Sequence, residues 1–191
     1  MKNIAILISG SGTNMESILR LKDECNFNIK CVISSKVGAE GLTKARKYNI
    51  DANTIDRKIY STKDLFEKVL KMILDDYNVN FIVLAGYMII LSDDFVKMYP
   101  KRIFNIHPSL LPDNPGLNAV KKSLKSGRAG FTIHYVEPGE VDSGEIIFQK
   151  EVQIIDGDTT QSLHDRIKIN ENEWYPKVLD HVINSKPMSF L

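Results

Sequence analysis

The chain has 191 residues, room for one compact α/β domain with a substantial core and a small-molecule pocket. Its 25 Lys and Arg stand against 24 Asp and Glu, and a formal charge of +1 excludes a global field that recruits nucleic acid or an anionic membrane surface. Any anion must be held locally, and with no apolar leader after Met1 and no run long enough to span a bilayer, the expectation is a cytoplasmic protein with no membrane partner.

Ile4-Ala5-Ile6-Leu7-Ile8 is a β-branched apolar run that predicts a buried parallel strand, halted by Ser9-Gly10-Ser11-Gly12. Helical spacing of Met15, Ile18 and Leu19 predicts a helix from Asn14, and a second strand follows over 28–34, which makes a βαβ unit. A helix over 40–47 leads to a short extended piece near Ala52. A longer amphipathic helix over 62–75 is expected to turn Leu65, Val69, Ile73 and Leu74 inward. A strand over 81–85, a short helix over 93–98 and a strand over 102–106 continue the alternation. After a helix over 118–125 the pattern changes to two extended runs, 131–136 and 145–154, joined by a long loop and read as an antiparallel pair. A closing helix over 159–184 packs through Leu163, Ile167 and Val178, with a kink or break at Pro176. The predicted fold class is α/β: a doubly wound, mostly parallel central sheet with helices on both faces and an antiparallel C-terminal strand pair.

Three segments carry chemistry. Asn105 and His107 lie two apart on a strand, so an amide and an imidazole share one face where the strand stops at Pro108. That pair can stabilise an oxyanion and move a proton, at the strand end where open α/β sheets bind ligands. Asp142, in the Gly/Pro-rich loop, is within plausible reach of the imidazole or is a solvated turn residue. Ser11, Gly12, Thr13 and Asn14 form a turn whose amides and following helix N-terminus suit a phosphate. The same residues serve equally as a tight turn with Thr13 or Asn14 as N-cap. Met15 breaks the third glycine of GxGxxG and no GxxxxGK[ST] is present, which argues against NAD and ATP. His134 alternates within a strand and His164 and His181 share the closing helix without metal-ligand spacing, so no metal is expected. Ser109 lacks a nucleophile elbow and reads as a turn residue. Cys25 and Cys31 lack CxxC spacing and read as buried thiols.

Taken together, Ser9–Asn14 (SGSGTN), Phe104–Pro112 (FNIHPSLLP) and Thr132–Gly144 (TIHYVEPGEVDSG) resemble the glycinamide ribonucleotide formyltransferases of purine synthesis, over nearly the whole chain. The central motif alone is similar to other users of 10-formyltetrahydrofolate. A tRNA-directed relative is expected to add a C-terminal domain and a basic surface, and a deformylase an N-terminal regulatory domain. The resemblance implies a single formyltransferase domain over 1–191, with a phosphate-binding half over about 1–100 and a folate-binding, catalytic half over about 101–191. It implies small-molecule substrates only: glycinamide ribonucleotide, with 10-formyltetrahydrofolate as co-substrate and no nucleic acid, in a monomer or homodimer.

By the same resemblance Ser11, Gly12, Thr13 and Asn14 hold the substrate phosphate, and Glu171 faces that substrate. Folate is expected against Met88, Ile89, Ile90 and Leu91, against Asn105, and against the loop Pro138, Gly139, Glu140, Val141 and Asp142. Leu84, Phe95 and Phe104 complete the apolar slot, and Lys63 stands where relatives carry arginine. Ile89 and Asn118 depart from the basic residue and the histidine found in many relatives. Asn105, His107 and Asp142 are the implied catalytic residues for direct attack of the amine on the formyl carbon, with Asn105 on the oxyanion and His107 kept protonated by Asp142. A deformylase, another formyl-folate-dependent formyltransferase and a catalytically silent nucleotide- or folate-binding module are the alternatives.

Overall fold

The computed structural model describes residues 1–185. Seven strands form one sheet: β1 (Lys2–Ile8), β2 (Phe27–Ser34), β3 (Asp51–Thr54), β4 (Phe81–Leu84), β5 (Ile103–His107), β6 (Gly130–Tyr135) and β7 (Ile146–Glu151). Six α-helices connect or close them: α1 (Thr13–Arg20), α2 (Glu40–Lys47), α3 (Lys63–Asp76), α4 (Asp93–Lys97), α5 (Ala119–Ser126) and α6 (Thr160–Ile183). The strand order is β3-β2-β1-β4-β5-β6-β7. The first five strands are parallel, β6 runs antiparallel to β5, and β7 antiparallel to β6. The predicted mostly parallel sheet with an antiparallel C-terminal pair is the one observed.

Strand order reverses between β1 and β4, and at such a switch point the loops leaving the two carboxyl ends diverge and open a crevice. Two apolar cores hold the sheet. On one face Met15, Leu42, Leu163, Ile167 and Val178 pack from α1, α2 and α6. On the other, Phe66, Leu70, Leu74 and Phe95 pack from α3 and α4. Alternation along β5 sends Phe104 and Ile106 into the first core and Ile103 into the second. The row begun by Ile103 continues as Asn105 and His107.

Three expectations are corrected. On helix α3 Val69, Ile73 and Leu74 pack inward as predicted and Phe66, Glu67 and Leu70 are buried beside them, whereas Leu65 is 46% exposed. Two apolar rows compete on this helix, and the row with the phenyl ring removes more area from water. Glu67 can follow it inward because the Ser92 N–H donates to its carboxylate at 2.7 Å. Helix α6 runs unbroken through Pro176, which is buried with Tyr175, Val178 and Leu179. Packing on both sides offsets the missing intrahelical hydrogen bond. Helix α1 is preceded by Gly12 in the left-handed region (φ 66°), with no side-chain cap from Thr13 or Asn14. Gly12 sits so close to Gly41 of α2 that a Cβ would lie 3.0 Å from the Gly41 Cα. Both cysteines are buried, and burial pushes the Cys31 thiol up to about 12.

Gly144 marks where the long β6–β7 loop returns to the sheet, and a Cβ there would overlap the Tyr135 carbonyl oxygen. Gly144→Ala is therefore expected to destabilise the protein by roughly 1–3 kcal/mol. Thermal unfolding would register this as a fall of about 2–4 °C per kcal/mol.

Candidate active site

A cleft of ≈ 1000 Å³ runs along the carboxyl ends of β1, β4 and β5, from the Ser9–Asn14 turn at one end to the 136–144 loop at the other. Its size suits two small ligands side by side. At the first end, the N–H groups that open α1 carry no side-chain cap and line the cleft with Ser11 and Gly12. They can receive an anion at a helix N-terminus. Gly41 N–H of α2 donates to the Gly10 carbonyl at 3.1 Å, which holds this turn from below. Across it, Asn14 Nδ2 donates to Glu171 Oε2 at 3.0 Å. Burial raises the Glu171 carboxyl above its ordinary range, only partly opposed by that amide and by Lys168.

The middle of the cleft is a polar cluster. Asn105 and His107 project from β5 as the two-residue period requires, and the antiparallel register sets His134 directly opposite Asn105. His107 Nδ1 lies 3.1 Å from Asp142 Oδ2, and His107 Nε2 lies 3.0 Å from the Asn114 carbonyl oxygen. Asp142 Oδ2 also accepts the Gly116 N–H at 2.8 Å. Asn105 Nδ2 lies 3.4 Å from Asp142 Oδ1 and 3.1 Å from His134 Nε2, whose ring is 3.6 Å from the same carboxylate oxygen. Burial opposes ionisation of Asp142, but His134, the Gly116 N–H and His107 together outweigh it and hold the carboxyl below its ordinary value.

The cluster is supported from outside. Ser109, fully buried, points its hydroxyl at the Asp113 and Asn114 carbonyls at 2.8 and 3.1 Å and fixes the carbonyl that faces His107. The loop bearing Asp142 is closed at its base, where Glu145 N–H donates to Glu137 at 2.8 Å and Lys101 bridges Glu137 and Glu145. Gly139 N–H is tied to Asp93 on α4 at 3.1 Å.

At the far end Met88, Ile89, Ile90 and Leu91 form one wall and Gly139, Glu140 and Val141 face them. Two residues assigned to folate binding do not reach the cleft: Lys63 and Pro138 are absent from its lining. Lys63 instead lies 4.0 Å from Glu67, four residues along the same helix, where the buried carboxylate draws its charge. Pro138 is exposed. Phe95 and Phe104 are core residues outside the cleft, whereas Leu84 borders it. His134 is the residue that sequence reasoning passed over, and its signal was cross-strand register to Asn105. Lys168 and His164 also line the cleft. They share a stripe of α6 with Glu171 at spacings of four and three residues, a period readable from that glutamate. Among the described residues no cluster of three or more His, Cys, Asp or Glu is arranged to hold a metal, and no helix is long and apolar enough to cross a membrane.

An open α/β sheet here gathers an amide, an imidazole and a carboxylate at one point, between a helix-opening turn and an apolar wall, an arrangement suited to group transfer. The profile of the formyl transferase family matches residues 2–179, and the chain belongs to that family. It is 37% identical to phosphoribosylglycinamide formyltransferase of Bacillus subtilis over 187 residues, covering 96% of this chain and 95% of that protein. It is 43% identical over 183 residues to the trifunctional purine biosynthetic protein adenosine-3 of Gallus gallus, covering 94% of this chain and 18% of that protein. The chain thus spans less than a fifth of the trifunctional relatives it matches. Glycinamide ribonucleotide transformylase 1 from Symbiobacterium toebii superposes with a TM-score of 0.93 at 38% identity, covering 97% of this chain and 89% of that one.

Because the Asp142 carboxyl lies below its ordinary value in the folded protein, its contribution to stability is present above about pH 4 and is lost as pH falls through the folded value. Asp142→Asn removes that contribution. Urea unfolding measured from pH 7 downward is expected to show the gap between wild type and variant narrowing toward acid; a constant gap contradicts the assignment.

Proposed function

We propose that the protein transfers the formyl group of 10-formyltetrahydrofolate to the amine of glycinamide ribonucleotide, a step of purine synthesis carried out in the cytoplasm by a monomer or homodimer. The observation that carries this reading is the Asp142 carboxylate, shared by His107 and the Gly116 N–H and next to Asn105, midway along a cleft with an anion turn at one end and an apolar wall at the other. The ribonucleotide phosphate rests on Ser11, Gly12, Thr13 and Asn14, with Lys168 adding charge and Glu171 facing the acceptor. The pterin lies between Met88–Leu91 and Gly139–Asp142.

The amine attacks the formyl carbon, so a C–N bond forms and the carbonyl electron pair becomes an oxyanion. Asn105 donates to that oxygen. Collapse breaks the bond to the folate nitrogen, which takes a proton as the amine gives one up, with His107 and Asp142 carrying the exchange. Acceptor oxygens face both His107 nitrogens. Substrate therefore takes the place of the Asn114 carbonyl at Nε2 when the proton is passed. Asn105 likewise exchanges one of its two partners for the oxyanion. Such donors are aimed before the charge develops, which is where their effect on rate arises.

Incubation of the protein with 10-formyltetrahydrofolate and glycinamide ribonucleotide is expected to yield formylated ribonucleotide. Free formate as the sole product selects a deformylase, formylation of aminoacylated initiator tRNA another transferase, and no product a silent binding module; each overturns the proposal. Asn105→Ala is expected to lower kcat roughly 10²–10³-fold. His107→Ala should bind folate yet lose roughly 10²–10⁴-fold in transfer, read by single-turnover kinetics.

A further inference from the structure

The two loops that diverge at the switch point are joined by one buried hydroxyl. Ser9, the last residue before the anion turn, is 4% exposed. Its N–H donates to the Gly86 carbonyl at 3.1 Å, its Oγ accepts the Met88 N–H at 2.8 Å, and that oxygen lies 2.7 Å from Ser35 Oγ. The far end of the same segment is fastened by Glu67, which accepts the N–H and the hydroxyl of Ser92. Between the two fastenings the wall alternates: Ile89 and Leu91 pack on the second core, whereas Met88 is 60% exposed and Ile90 63%. The exposed Met88 end of the wall is therefore held chiefly by the hydrogen bond to Ser9, and the Leu91 end by packing together with the bonds from Ser92 to Glu67.

We infer that Ser9 is a positioning residue shared by the two half-sites: its hydroxyl holds the apolar wall at a fixed distance from the anion turn that begins at the next residue. The inference rests on the reading that this wall takes the folate. Without the hydroxyl, the Met88 N–H loses its partner and the Met88 end of the wall is free to move toward solvent while Ile89 and Leu91 stay packed, so folate meets an edge it must first order. The chemistry itself is left intact, because Ser9 touches none of Asn105, His107 and Asp142.

The test is Ser9→Ala beside Ser35→Ala, the latter keeping the Ser9 oxygen. In Ser9→Ala the Kd and KM for 10-formyltetrahydrofolate rise roughly tenfold, kcat at saturation stays within about twofold, and the pH–rate profile does not move. Ser35→Ala and Ser9→Thr, which keeps the acceptor, stay near wild type. Amide hydrogen exchange at Met88 accelerates in Ser9→Ala alone and by more than at the core amides of β1 and β4, a contrast that a uniform loss of stability does not produce. Wild-type protein that binds no folate in calorimetry overturns the assigned function. Wild type that binds folate while Ser9→Ala binds it equally tightly, or unaltered Met88 exchange, overturns the role of Ser9.

Discussion

The site depends on stabilising one desolvated carboxylate. Asp142 sits in a loop at positive φ (60°), among groups supplied by three other segments: His107 from β5, the Gly116 N–H from the loop after it, and His134 from β6. A buried charge without partners costs several kcal/mol, so each of these segments is held in place by the cost of letting the carboxylate go. The dependence runs both ways. The Asp142 loop keeps its geometry because Gly144 allows it to pass against the Tyr135 carbonyl and because Glu137, Glu145 and Lys101 close its base. The turn after β5 keeps its geometry because Ser109 satisfies its carbonyls.

This cluster is closed on itself. His107 has an acceptor on each nitrogen, and the Asn105 amide is engaged by Asp142 and His134. Reactive groups are thus held in position by each other rather than by solvent, which lowers the reorganisation left for the reaction. Glu171 is the counterpoint, a carboxylate that burial holds above its ordinary range, fastened by Asn14 rather than by a cation. Two acids a short way apart in one cleft are pushed in opposite directions by their surroundings, a division found where sites handle charge and protons separately.

Local pattern made much of this legible. The run from Ile4 to Ile8, the βα alternation and the switch to hairpin after α5 define the sheet, because each rests on periodicity within a few residues. The same period placed Asn105 and His107 side by side. What escaped depends on partners far along the chain. His134 looked like an ordinary strand residue, since its importance lies in register with β5. Leu65 looked inward-facing because α3 carries two apolar rows; the Phe66 row takes the core, and Glu67 can join it because it accepts from Ser92. Lys63 was assigned by similarity, and its 4.0 Å approach to Glu67 depends on the burial of that glutamate, which the sequence does not show. Gly12 displaced the side-chain cap expected at α1 because α2 leaves no space for a Cβ.

The bond between Asn14 and Glu171 joins residues 157 positions apart. One side of this end of the cleft therefore comes from α1 and the other from α6. During synthesis the parallel strands can pair as they emerge, but the pocket has no second wall until α6 has left the ribosome and docked. Nascent chains then expose an anion turn that nothing closes over, and binding competence arrives in a single late event.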